Sequence, residues 1–361
     1  MNRRHRTRAR ISGALRALLF LLPALLAACS AAAPQPTPAP TAELLPRGEP
    51  TPRPTGPAPT VVSAGAGLPG RLLFVRSGEI WLWQGEHGSQ LTAGGDTFQP
   101  AWSPDGTRIA YIRRGESYSD LMLMPAAGGE PLQLTDNGSP EPPTSFERIY
   151  DVVWAFYPAF SPDGSELAFV SQYGPPFGSP AIDYHLALFT MPAAGGGTRT
   201  LRYADEMGHV GRLAYAPDGT AIVFAFGPAG PGVPRLYRYD TAQETAAPLE
   251  APEQSYDPAF SPDGRWLAFA MRDGAGTDIY AMPSGGGMPV RLTAMGAARA
   301  PAFSPDGTLL AFLAVAPGEN SFDLWVAELR RSATGELSAG EPRRVTTGMA
   351  IDADSGIAWG E

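Results

Sequence analysis

Few residues of this chain have chemistry to offer, and they are scattered. Past the first thirty residues there are three histidines, His87, His185 and His209. His185 and His209, with Glu206 nearby, bring two imidazoles and a carboxylate, short of the ligand set that a structural or catalytic metal needs. Five aspartates recur in matching turns, at 105, 163, 218, 263 and 306. One acid per turn is too few for a hard cation. Asp352 and Asp354, before Gly356, start a calcium-loop pattern without its remaining ligands. There is no Gly-x-Ser-x-Gly elbow to hold a nucleophile. Asp257, Asp151 and Asp183 are the acids best suited to serve as general acid or base.

What positions these residues is a repeat. Ser103-Pro104-Asp105-Gly106 returns at 161–164, 261–264 and 304–307, and as Ala216-Pro217-Asp218-Gly219. Each copy sits between an apolar run such as Pro258-Ala259-Phe260 and another such as Leu267-Ala268-Phe269. The aspartates are spaced 58, 55, 45 and 43 residues apart. The shorter spacings match a four-stranded propeller blade. In the turn, Pro presets φ, Asp can accept nearby backbone amides, and Gly takes the left-handed position. The outermost strands end at Thr92, Thr135, Leu201, Leu249, Thr293 and Thr346, which makes six blades. Residues 71–92 lack an opening strand, and Gly356-Ile357-Ala358-Trp359 matches Gln99-Pro100-Ala101-Trp102. The fold class is therefore all-β, a six-bladed β-propeller of four-stranded blades, with the first blade closed by the C-terminal strand.

Pro-Ala-Phe-Ser-Pro-Asp-Gly, then Asp278-Ile279-Tyr280, then Arg291-Leu292-Thr293, resembles the TolB-type propeller repeat of bacterial envelope proteins over residues 71–361. Similar repeats occur in scaffold proteins and in the propeller halves of prolyl peptidases. The small α/β domain that precedes the TolB propeller has no counterpart here; a linker stands in its place.

In a propeller, the Ser-Pro-Asp-Gly turns and the Gly-rich turns (126–129, 193–197, 284–287) share one face, and here they are short and repetitive. The opposite face carries the insertions. Thr135 to Pro158 is 23 residues where Thr293 to Pro301 is 8, and Phe169 to Met191 is 22 where Phe269 to Met282 is 13. These loops, 136–157 and 172–186, hold Phe146, Arg148, Tyr150, Asp151, Trp154, Tyr157, Tyr173, Phe177, Tyr184 and His185. Long loops on a rigid scaffold, rich in aromatics and Arg, suit recognition; packing on each other and plugging the channel is the alternative. The residue before each opening strand's core, Gln99, Tyr157, Arg212, Asp257, Ala300 or Gly356, should ring the channel mouth and grip a ligand or hold water. Glu79, Asp120, Asp278 and Asp323 begin third strands and should accept neighbouring loop amides.

The N-terminus reads as an export signal over residues 1–28: a basic segment with Arg3, Arg4, Arg6, Arg8 and Arg10, then the apolar 14–26. Leu26-Ala27-Ala28-Cys29 resembles a bacterial lipobox, which implies acylation of Cys29, the sole cysteine. Residues 29–67, with ten Pro between 34 and 59, form a lipid-anchored tether, and 68–361 the propeller. All 27 basic residues are Arg, six of them in the signal, which leaves 21 bases against 36 acids. Such acidity argues against nucleic acid as a partner. The expected protein is an exported monomer, tethered by lipid to the outer face of the cell membrane or to the outer membrane facing the periplasm. It should bind an envelope protein or peptide through the residues named and through Arg212 and Asp257. No cofactor, no metal and no enzymatic activity are expected; the alternative is a propeller hydrolase or lyase acting on a saccharide or lactone.

Overall fold

The computed structural model describes residues 67–361 except 143, 149–151, 174–184, 230–231, 275 and 334. Signal, tether and Cys29 lie outside these residues. The described chain forms six antiparallel sheets in sequence around a ring. We number the blades 1 (Leu68–Gln90 with Ile357–Gly360), 2 (Thr97–Gln133), 3 (Ala155–Tyr203), 4 (Gly208–Pro248), 5 (Ser255–Arg291) and 6 (Ala298–Arg344). The last strand lies against the first, with Leu72 opposite Trp359 and Leu73 opposite Ala358, and supplies blade 1 with its innermost strand. This closure is the one the sequence predicts, and it leaves only short, protected sheet edges.

Second strands read Leu-Ala-Phe without polar alternation because each blade is covered on both faces. Phe74, Phe169, Phe224, Phe269 and Phe312 are fully buried there, with Tyr111 in the same place in blade 2. The core is accordingly six clusters, one per seam between neighbouring blades. Small alanines such as Ala168, Ala268 and Ala311 alternate with the large rings, which lets the sheets approach.

Each Ser-Pro-Asp-Gly turn is closed by its own side chains. Ser103 Oγ donates to Asp105 Oδ1 at 2.6 Å and accepts from the Arg108 amide, while Asp105 accepts the Thr107 amide. The same bonds recur at Ser161, Ser261 and Ser304. The turn glycines have φ between 64° and 73°, the left-handed region that Gly occupies without strain. Hydroxyl and amide donors pull the carboxyls of Asp105 and Asp163 down to about 2.

At the opposite ends of the blades a second device repeats. Asp278 accepts Thr293 Oγ1 and the amides of Met295 and Gly296, and Thr293 Oγ1 in turn accepts the Ile279 amide. Glu79 with Thr92, Asp120 with Thr135 and Asp323 with Thr346 are built alike. The predicted acceptor role of these four acids is what the structure contains.

Blade 6 departs from the plan on the turn face. Its third strand, Phe322–Arg331, pairs with Leu337–Ala339 and again with Arg343–Arg344, so this sheet has a fifth strand. The turn face is thus less uniform than its motifs suggest: the Asp-to-Thr span is 23 residues in blade 6 and 15 in blade 5.

Candidate functional site

The channel mouth is made by an irregularity repeated in the inner strands. Blades 2 to 6 each carry a β-bulge there, as between Phe98 and Ala101 or Tyr256 and Ala259. Gln99, Tyr157, Asp257, Ala300 and Gly356 all have φ between 51° and 72°. For residues bearing a Cβ such backbone costs on the order of 1 kcal/mol each and persists only where the surroundings fix it. Side chains do the fixing. Gln99 Oε1 accepts the Tyr157 amide at 2.8 Å, and Asp257 Oδ2 accepts the Ala300 amide at 3.2 Å. The bulge turns these residues toward the axis. The channel beneath is a cavity of about 340 Å³ walled by inner-strand residues of all six blades.

One side of the mouth holds a charge network. Asp257, whose side chain is 5% exposed, lies between Arg212 Nε on Oδ1 and Arg299 Nε on Oδ2, each at 3.1 Å. Arg299 continues to Asp354 Oδ1 at 2.7 Å. Burial works against charge on Arg299, but Asp257 outweighs it, and its pKa is raised. Arg212 belongs to blade 4, yet its Nη2 reaches the Asp354 carbonyl at 2.6 Å and its Nη1 the Ser355 carbonyl at 3.3 Å, at the entrance to blade 1. In a ring of six these blades face each other, so Arg212 lies across the mouth. Gly356, at φ 72°, lies so close to Arg212 Nη1 that a Cβ there would make the guanidinium shift. Asp257 Oδ2 accepts Arg299 Nε and the Ala300 amide, while Oδ1 faces Arg212 Nε, which has no hydrogen-bond partner among the described residues, so the acid is the counter-charge that the two cations share.

From the mouth an aromatic row leads outward. Arg212 stacks over Tyr157 at 5.2 Å, Tyr157 lies 6.0 Å from Phe156, and Phe156 stacks on Trp154 at 6.1 Å. Burial pushes the Tyr157 hydroxyl above its usual range. Phe146 and Tyr173 are exposed, as is Met207 in the link between blades 3 and 4. Arg148 donates to Ser117 Oγ and to the Glu141 carbonyl, which folds its loop back on itself. His185 stacks on His209 at 5.4 Å, and His209 Nδ1 accepts the Leu186 amide at 3.2 Å across the seam of blades 3 and 4. No cluster of three or more metal-ligating side chains occurs among the described residues. Asp352 accepts the amides of Asp354 and Ser355, a turn-capping role.

The structure thus joins Trp154, Tyr157, Arg212 and Asp257, with Phe146, Tyr173 and His185 around them on the same face. Tyr150, Asp151, Phe177, Asp183 and Tyr184 fall outside the described residues. Sequence reasoning missed Arg299. It considered only the residue before each Pro-Ala, whereas the bulge also brings the preceding residue to the mouth.

No family model matches the chain. Solved structures decide the fold. TolB from Acinetobacter baumannii superposes with a TM-score of 0.57 at 20% identity, over 77% of this chain and 67% of that one. A TolB from Agrobacterium tumefaciens gives 0.52 at 18%, over 79% and 92%. The fold is that of the TolB propellers. A chain of the nidogen/laminin complex superposes with a TM-score of 0.54 at 11% identity, over 80% of this chain and 97% of that one. Among curated proteins, the uncharacterized peptidase YuxL of Bacillus subtilis is 28% identical over a match covering 50% of this chain. The match spans 30% of that relative's length. This finding corrects the expectation of a chain without enzymatic activity. That expectation rested on missing motifs, and a sequence similar to half of this chain occurs in a protein named an uncharacterized peptidase.

Proposed function

We propose that the chain is an exported, lipid-anchored propeller that binds a protein or peptide of the bacterial envelope. Residues 1–28 serve as signal, 29–67 as a tether acylated at Cys29, and 68–361 as the binding domain. The ligand face is the one bearing loops 136–157 and 172–186. One observation carries this reading: the continuous row Trp154, Phe156, Tyr157, Arg212 joins the long loops to the channel mouth. Exposed Phe146, Tyr173 and Met207 flank it along blades 2 to 4. Aromatic and Arg side chains grouped on one surface are what binding hot spots are made of. The test is capture from solubilised native envelopes by the wild-type chain and by a variant with residues 141–148 replaced by a short Gly-Ser link. A partner retained by the first and lost by the second supports the proposal; equal capture defeats it.

The peptidase relative favours a second reading, in which the propeller serves peptide hydrolysis. Incubating the purified chain with a mixed peptide pool, and following cleavage by mass spectrometry, separates this from simple binding.

A further inference from the structure

We propose that the channel mouth is a carboxylate site, and that the free C-terminal carboxylate of a peptide lodges between Arg212 and Arg299. The inference deepens the proposed function and rests on it for the peptide nature of the ligand.

The charge balance comes first. Two guanidinium groups, 16% and 26% exposed, share one buried carboxylate, that of Asp257. The remaining anion, Asp354, is 75% exposed and holds only Arg299 Nη1. Counting the sheltered groups alone, the mouth carries one uncompensated positive charge, in a chain that is acidic overall. An exposed ion pair contributes well under 1 kcal/mol and is readily exchanged. The Nη groups of Arg212 meet only neutral carbonyls, Asp354 O and Ser355 O. A carboxylate in their place would gain the shorter, charge-assisted bonds that a guanidinium makes with an anion. Asp354 thus occupies the seat that an incoming carboxylate would take.

The walls below the mouth choose among carboxylates. Ala101, Ala159, Ala214, Ala259, Ala302 and Ala358 stand at the same level of the six inner strands and line the cavity. Beside them in the lining stand Trp102, whose Nε1 has no hydrogen-bond partner among the described residues, and Tyr215, two polar side chains for a sugar's many hydroxyls, and burying the rest unpaired is costly. An extended peptide tail with small apolar side chains presents fewer polar groups, its backbone amides and carbonyls alone needing partners there. The cavity, about 340 Å³, lies at the small end of ligand sites.

The test is a ligand-observed NMR titration of the purified full chain. The probes are N-acetyl-alanyl-alanine as free acid, the same dipeptide as C-terminal amide, and glucuronate. The acid is expected to bind saturably, the amide and glucuronate at least tenfold more weakly. Arg299→Gln should cost the acid about tenfold or more, the worth of a lost charged hydrogen bond. Asp354→Asn removes the resident competitor and should tighten acid binding about two- to fivefold. That gain cannot come from a damaged fold, so it guards against misreading the Arg299 variant. Equal affinity for acid and amide, glucuronate binding as tightly as the peptide acid, or an unchanged or weakened Asp354→Asn variant would overturn the proposal. Shortening 141–148 should leave acid binding intact. If envelopes yield a loop-dependent partner while acid and amide bind alike, the carboxylate site fails and the loop-face reading stands. If acid binds selectively and no partner depends on the loops, the reverse holds.

Discussion

Blades 5 and 3 share a register and finish their loop ends differently. In blade 5, Asp278 gathers the Thr293 hydroxyl, the Arg291 guanidinium and two amides of the link to blade 6. In blade 3 the residue in that position is Ala187, as the pairing of Met191 with Leu167 and of Met282 with Leu267 shows. The link to blade 4 is instead held locally by Met207 N on Asp205, while Leu186 N on His209 bonds across the seam. Blade 4 lacks the acid too: Arg235 stands there, paired with Glu253. The acid clasp is thus present in blades 1, 2, 5 and 6 and absent in 3 and 4, where His185 and His209 meet and one long loop sits. A propeller ring tolerates release of a link where its seam cluster is intact. The longer aromatic loop, 136–157, by contrast leaves a clasped blade, where Asp120 holds Thr135 and the Asn137 amide.

Breaking the clasp tests the contrast most strongly. Asp278→Ala leaves buried donors without an acceptor and removes one of the two carboxylates that Arg291 pairs with. It should cost on the order of 3 kcal/mol in chemical denaturation. A loss below 1 kcal/mol would mean that the clasp is ornamental and the contrast between blades empty. The turn face offers a milder comparison, since blade 4 carries Ala216 where four blades carry Ser. Ser261→Ala should cost about 1 kcal/mol, and Ala216→Ser should gain up to about 0.5 kcal/mol, by the same measurement. Acid should reach the unclasped seam first. Burial, and secondarily the charge of His185, lower the pKa of His209 from 6.5. Its folded form resists protonation, so its contribution is whole above pH 6.5 and lost as pH falls through the lower folded value. Asp105 and Asp163, held down to about 2, keep theirs whole above pH 3.8 and lose it as pH falls from there toward 2. Thermal melts of His209→Gln against wild type between pH 7 and 5 should show a shallower decline in the variant. This is the smallest of the effects; parallel curves would remove His209 from the account.

The ring was legible because its devices are local and repeated. Turn, apolar strand and acid-to-Thr spacing each announce themselves within one blade, and the missing first strand could be matched to residues 356–359. The mouth was half legible. Position before Pro-Ala identified Tyr157, Arg212 and Asp257, since the repeat fixes that register. Arg299 was not found, because a bulge shifts which residue faces the axis and carries no residue-type signature. That Arg212 spans to blade 1 was also invisible: a long side chain crossing a ring joins residues 143 apart in sequence. The extra strand of blade 6 had a signal, the longer span from Asp323 to Thr346, that a comparison of loop lengths on the other face passed over.

The central claim is that recognition belongs to the loop face of blades 2 to 4 and not to the turn face. The most direct test places a photo-crosslinking p-benzoylphenylalanine at Phe146 or at Met288, exposed residues on opposite faces, in the full chain expressed in its native cells. A discrete crosslinked adduct at 146 and none at 288 is the expected result. An adduct at 288 alone, or equal adducts at both, would contradict it.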